Sequence, residues 1–248
     1  MHKHMLRALG LSLLAALGLM AFTAAGAQAE ALKGVAGKIK VLGVDAVGPI
    51  TVLGEQEKLG TLLVPGLKFE IVCEKVDVLE GKIISGAKGE GLAELLYLEC
   101  VTWNLGLTVK LPCELLEDAS PFAAGSILAK VKLLVVLHEV SAGVSDTYIL
   151  ATADNEKEEG ALASILYSTP SECPLPKLTE VKGSVVFKVT LGDLSLKQPE
   201  ELYVLATASQ ELSSSGLFTD KLFYGVNEAF IDGSALLWLA SDCNWGLI

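Results

Sequence analysis

Apolar residues recur at every second position through much of this 248-residue chain. Phe69, Ile71 and Cys73 alternate with Lys68, Glu70 and Val72; Val185, Phe187, Val189 and Leu191 alternate with Ser184, Val186, Lys188 and Thr190. A period of two puts one set of side chains on a buried face and the other towards solvent, which is the pattern of antiparallel strands. Gly-rich and acidic stretches separate the runs: GAKGEG (86–91), SAGVSD (141–146), DNEKEEG (154–160), KQPEE (197–201) and SSSG (213–216). Such residues are turn formers. The pattern predicts an all-β fold, an antiparallel sandwich or barrel. Two continuously apolar runs, Leu133 to Leu137 and Ala235 to Ala240, fit either strands buried on both faces or a minor helical element.

A weak internal repeat runs through the second half. Tyr148-Ile149-Leu150-Ala151-Thr152-Ala153 is nearly reproduced by Tyr203-Val204-Leu205-Ala206-Thr207-Ala208. Three segments share a Gly, an apolar run and a closing Cys: GLAELLYLEC (91–100), GALASILYSTPSEC (160–173) and GSALLWLASDC (233–243). Duplicated β-units would produce this, with sub-units at 30–122 and 123–248.

The N-terminus follows a different logic. MHKHMLR is basic, an apolar run extends from Ala8 to Ala25, and Ala27-Gln28-Ala29 precedes Glu30. This is the order of a secretory signal peptide over residues 1–29, cleaved after Ala29, with a β-rich domain over 30–248. Losing Lys3 and Arg7 from 19 bases against 30 acids moves the formal net charge from −11 to −13. So acidic a surface repels phosphate, so neither nucleic acid nor an anionic membrane is an expected partner. No later run is long and apolar enough to predict a membrane-spanning helix.

All five cysteines, Cys73, Cys100, Cys113, Cys173 and Cys243, lie beyond the leader. In an exported protein they are disulfide candidates, and an odd number leaves one over. No C-x-x-C pair occurs and His138 is the only histidine after the leader, so no zinc site or other metal site is expected.

One block is more specific than composition. It contains FEIVCEKVDVLEGKIISGAKGEGLAELLYLEC (69–100), LPC (111–113) and CPLPKLTEVKGSVVFKV (173–189). Its skeleton is a strand to Cys73, Gly81-Lys82-Ile83, the glycines Gly86, Gly89 and Gly91, a strand to Cys100, then Cys113 and Cys173. In this it resembles a group of uncharacterised secreted, β-rich, cysteine-containing proteins of soil actinobacteria. The resemblance implies export and β structure, and it implies no activity, cofactor or catalytic residue.

Read physically, Gly86, Gly89 and Gly91 mark a turn with positive φ or close backbone approach. Cys73 is expected on the inward face of Phe69 and Ile71, and Cys100 on the face of Leu96 and Leu98. Both sulfurs should be buried. Pairing Cys100 with Cys113 and Cys73 with Cys173 leaves Cys243 over; the duplicated units suggest Cys173–Cys243 instead.

Nothing in the sequence spells catalysis. There is no G-x-S-x-G, H-E-x-x-H, P-loop or dinucleotide fingerprint. His138 is expected as a structural residue of a strand rather than a general base. The cluster Asp154, Glu156, Glu158 and Glu159 reads as a solvated turn rather than a calcium loop. The apolar C-terminal end, with Trp238, Trp245, Leu247 and Ile248, fits a final core strand or an exposed interaction patch. The first functional expectation is therefore an exported, non-enzymatic structural or interaction component of the cell envelope or extracellular matrix, self-associating or binding an envelope protein. The second is a carrier of an apolar small molecule, because an aliphatic interior with only 6% aromatic residues leaves a barrel room for a cavity. A hydrolase using His138 ranks third. No cofactor is expected.

Overall fold

The alternating segments pair as antiparallel strands, and the pairs close on themselves. The computed structural model describes residues 35–116, 124–142, 144–154, 160–168, 172–190, 200–204, 221–241, 243 and 245–247. The leader at 1–29 lies outside them. Three short strands come first: β1 (Val35–Ala36), β2 (Ile39–Val41) and β3 (Val44–Asp45). Long strands follow: β4 (Ile50–Val64), β5 (Phe69–Ser85), β6 (Glu90–Asn104) and β7 (Ile127–Ser141). Next are β8 (Val144–Ala153), β9 (Ala161–Leu166), β10 (Leu178–Thr190), β11 (Glu200–Val204) and β12 (Leu222–Tyr224). The chain ends with β13 (Asn227–Leu239) and β14 (Trp245–Leu247). Among the described residues there is no α-helix, only a 3-10 turn at Pro65–Leu67. The expected minor helix is not there: Leu133–Leu137 and Ala235–Leu239 are both strand.

The ring runs β4–β5–β6–β7–β8–β10–β11–β13 and returns to β4, every pairing antiparallel. It is an eight-position up-and-down barrel, and closure removes the open edges of the wall. Two positions are each filled by two short strands end to end. Between β7 and β10, β8 gives way to β9; between β10 and β13, β11 gives way to β12. Asp154 and Gly160 of the acidic stretch flank β8 and β9, and residues 155–159 between them lie outside the described residues. Wall strands from both sides of residue 122 join in one sheet, and Leu32–Ile248 forms one compact unit. The sequence repeat has a structural counterpart: Tyr148 and Tyr203 stand opposite the same residue, Lys188, on either side of β10. Residues 205–208 of the second copy lie outside the described residues.

A second sheet, ordered β14–β2–β3, joins residues from near the two ends of the chain. Its Ile39, Trp245 and Leu247 pack with Ile83, Val135, Ile149, Val189 and Leu239, which lie towards one end of the barrel strands. We call this end upper. The sheet is stitched to the β5–β6 turn by Ile39 N–H to Gly86 O (2.8 Å) and Gly86 N–H to Ala46 O (3.0 Å). That approach needs glycine: a Cβ on Gly86 would lie 2.2 Å from Ala46 N. Gly89 completes the turn with a φ of 66°. Close approach and positive φ are what the glycine spacing predicts here.

The wall has two different faces. Val185, Phe187 and Val189 point inward, as their alternation predicts, and Lys182 and Lys188 outward to Glu180 and Asp146. Lys130 and Glu94, opposite each other on β7 and β6, pair at 2.6 Å on the outside. The outer face also carries one buried apolar cluster, Val136, Tyr148, Leu150 and Val186. No helix of the described residues is long and apolar enough to cross a membrane.

Candidate functional site

The inward face does not fill the barrel. Two chambers lie inside it, an upper one of about 140 Å³ and a lower one of about 70 Å³. Along β7 their order is plain: Leu133 and Val135 line only the upper chamber, Val131 lines both, and Ala129 and Ile127 line only the lower. Gly60, Leu95, Tyr97, Val131, Phe187 and Ile231 form the shared waist. The upper chamber is roofed by Ile39, Trp245 and Leu247 of the small sheet.

Three glycines, Gly60, Gly81 and Gly91, border the upper chamber. Gly81 and Gly91 allow close backbone approach, since a Cβ would lie 2.6 Å from Val52 O and 2.9 Å from Lys82 O. A Cβ on Gly60 would approach the Tyr97 ring to 3.3 Å, so that ring lies over the glycine and narrows the waist. Tyr97 keeps some accessible surface, yet burial pushes its hydroxyl up to about 12. That surface faces the chamber and not bulk water. The charged residues that border the upper chamber are engaged elsewhere: Lys82 is paired with Glu80, and Asp232 Oδ1 accepts the Gly233 N–H at 2.9 Å.

Below the lower chamber the interior changes character. Ile71, Ile165, Val181 and Leu222 line it, and one inward step further along the same strands come Phe69, Tyr167, Thr179 and Tyr224. Thr102 joins them from β6. None of the hydroxyls of Thr102, Tyr167, Thr179 and Tyr224 makes a hydrogen bond of ordinary geometry among the described residues. Desolvation raises the Tyr167 and Tyr224 hydroxyls above their usual range. The Tyr224 ring meets Phe69 edge-on at 5.1 Å. Cys113 and Leu115 add to this core, and buried Glu70 accepts the N–H groups of Gly106 and Leu107, both at 2.9 Å.

The cysteines pair differently from expectation. Cys73 joins Cys100 and Cys113 joins Cys173, leaving Cys243 free and half-buried. Neither Cys100–Cys113, Cys73–Cys173 nor Cys173–Cys243 forms. The reason is local. Glu74 and Lys75 are both exposed, and Glu99 has a φ of 53°, so alternation reverses between Cys73 and Val76 and between Tyr97 and Cys100. Cys100 thereby leaves the face of Leu96 and Leu98 and meets Cys73 directly across the β5–β6 pair. Both are buried, as predicted. Two disulfides are the mark of an oxidising compartment.

The other singled-out residues do not gather into a site. Trp245 and Leu247 are buried inside the upper end, not displayed on a surface, and Trp238 is half-buried on β13. Ile248 lies outside the described residues. His138 sits on β7 opposite Asp146 of β8. Asp154 directly follows β8, and Glu156, Glu158 and Glu159 lie outside the described residues. The waist residues were not singled out from sequence, although Gly60 inside an otherwise strand-like run was a legible signal. No family model, curated protein or solved structure matches the chain.

Proposed function

We propose that the protein is an exported carrier of an apolar small molecule, held inside the barrel. The observation that supports this is the closed wall around an interior lined almost wholly by hydrocarbon. An eight-strand barrel is wide enough to hold one small ligand. A dry apolar cavity of ~150 Å³ takes up benzene, and the upper chamber is of that size. Left empty, a void costs roughly 24 cal/mol per Å³, so about 3 kcal/mol for the upper chamber, and an occupant offsets part of that. The signal-like leader and the two disulfides support an extracytoplasmic working place. Binding an envelope partner through the C-terminal residues has less support, since Trp245 and Leu247 face the chamber.

Native mass spectrometry of protein purified from the secreting cells tests the reading. A bound species a few hundred daltons or less above the chain mass, removed by organic solvent, is expected. Uniformly empty protein that also fails to take up added apolar ligands would overturn it.

A further inference from the structure

We infer that the cargo is a single neutral aliphatic chain threading both chambers through the Tyr97 waist, not a compact ring and not an anionic lipid with its headgroup inside. This rests on the carrier reading and adds the shape and charge of what is carried. The shape comes from the shared walls. The same six residues border both chambers, and the order Val135, Val131, Ile127 along β7 stacks the chambers end to end. The void is therefore long and narrow, with its constriction where the Tyr97 ring overlies Gly60. A rigid ring could occupy one chamber only. A flexible chain can bend past Tyr97 and cover the hydrocarbon of both. Chambers of about 140 and 70 Å³ together hold roughly eight carbons, scaling from the ~150 Å³ cavity that takes the six of benzene.

The charge follows from the lining. Lys82, the cation bordering the upper chamber, is paired with Glu80, and the other charge there, Asp232, is itself an anion. A carboxylate drawn inside would be left without a counter-charge in an apolar enclosure, and unpaired buried charge is strongly disfavoured. A neutral chain carries no such penalty.

The test compares 1-octanol, octanoate and benzene, by titration calorimetry and thermal shift on the purified chain with both disulfides intact at neutral pH. Octanol should bind one to one, about tenfold or more tighter than either octanoate or benzene, a margin of ~1.4 kcal/mol. Ala151 is buried and lines only the lower chamber, so Ala151→Leu fills that chamber; it should weaken octanol about tenfold and leave benzene unchanged. Val131→Phe, which adds bulk to the waist from β7, the strand beside that of Tyr97, should do the same and serves if the first variant does not fold. Octanoate binding as tightly as octanol would overturn the neutral cargo. Benzene binding with octanol excluded, or octanol indifferent to both variants, would overturn the threaded chain. If none of the three ligands binds, the carrier reading itself fails.

Discussion

The two ends of the barrel are closed by opposite means. The upper end is shut by β2, β3 and β14, short strands from near the chain ends, held by apolar packing and a few backbone hydrogen bonds around Gly86. The lower end is bound by two disulfides, a buried layer of hydroxyls and the Glu70 carboxylate inside a turn. Covalent constraint thus lies at the end away from the larger chamber. The end that roofs that chamber depends on packing and a few backbone hydrogen bonds, and local opening is cheapest where few strong contacts must break. On this comparison a ligand carried as proposed would enter and leave through the roof, with the lower end as the anchor.

Removing the main roof residue should produce the largest effect. Trp245→Ala takes away a buried aromatic and should cost about 3–5 kcal/mol in denaturant unfolding. It should also speed release of bound ligand in stopped-flow dilution. An unchanged release rate would put the exit elsewhere in the wall. The lower end provides the contrast. Replacing Cys113 and Cys173 together by Ser should cost about 2–4 kcal/mol while leaving the release rate as it was. A faster release from that variant would dissolve the division of labour between the ends.

A smaller change returns to the upper end. Gly86→Ala forces a Cβ against Ala46 N and Ile39 O. The small sheet must shift, at about 1–3 kcal/mol, typical of overpacking. Amide exchange should then rise at Ile39 and Ala46 and stay unchanged at Cys100 and Leu111. Equal loosening at both ends would mean that the sheet and the barrel unfold as one unit.

How far this asymmetry could be read from sequence differs by element. The inner wall was legible where strands are straight, since Val185, Phe187 and Val189 all face inward as their period demands. It failed at Cys100, because period two carries a face assignment only until the backbone bends, and the reversal at Glu99 leaves no compositional mark. Disulfide pairing inherited that error. Ring closure depends on β13 meeting β4, some 170 residues apart, and no local pattern encodes so distant a pairing. The aliphatic, aromatic-poor composition did point towards a cavity, but not to its place. Its waist is set by the Tyr97 ring lying over Gly60 of β4, two strands away, which becomes visible only once the faces are known. Trp245 was equally readable as core or patch, since an apolar terminal strand looks the same in both roles.

Alkaline pH should separate the ends without any substitution at the roof. Tyr97 at the waist and Tyr167 and Tyr224 at the lower end all have hydroxyls raised by desolvation, Tyr97 to about 12. An unfolded tyrosine loses its proton near ~10. Between that pH and the folded value the unfolded state holds fewer protons than the native state, so stability falls as pH rises, by about 1.4 kcal/mol per unit for each such tyrosine. Below ~10 both states are protonated and these groups contribute no pH dependence. Tyr97→Phe should therefore leave stability at neutral pH nearly unchanged and flatten the decline between ~10 and 12 by one tyrosine's share. Denaturant unfolding at pH values across that window, with tyrosinate absorbance as the second readout, measures it. Exposure of Tyr167 and Tyr224 to alkali should disrupt the lower end first and leave the β14–β2 pairing protected from exchange. Loss of that pairing at the same pH would show that the anchor and the roof are not separable, and with that the contrast between the two ends would lose its physical content.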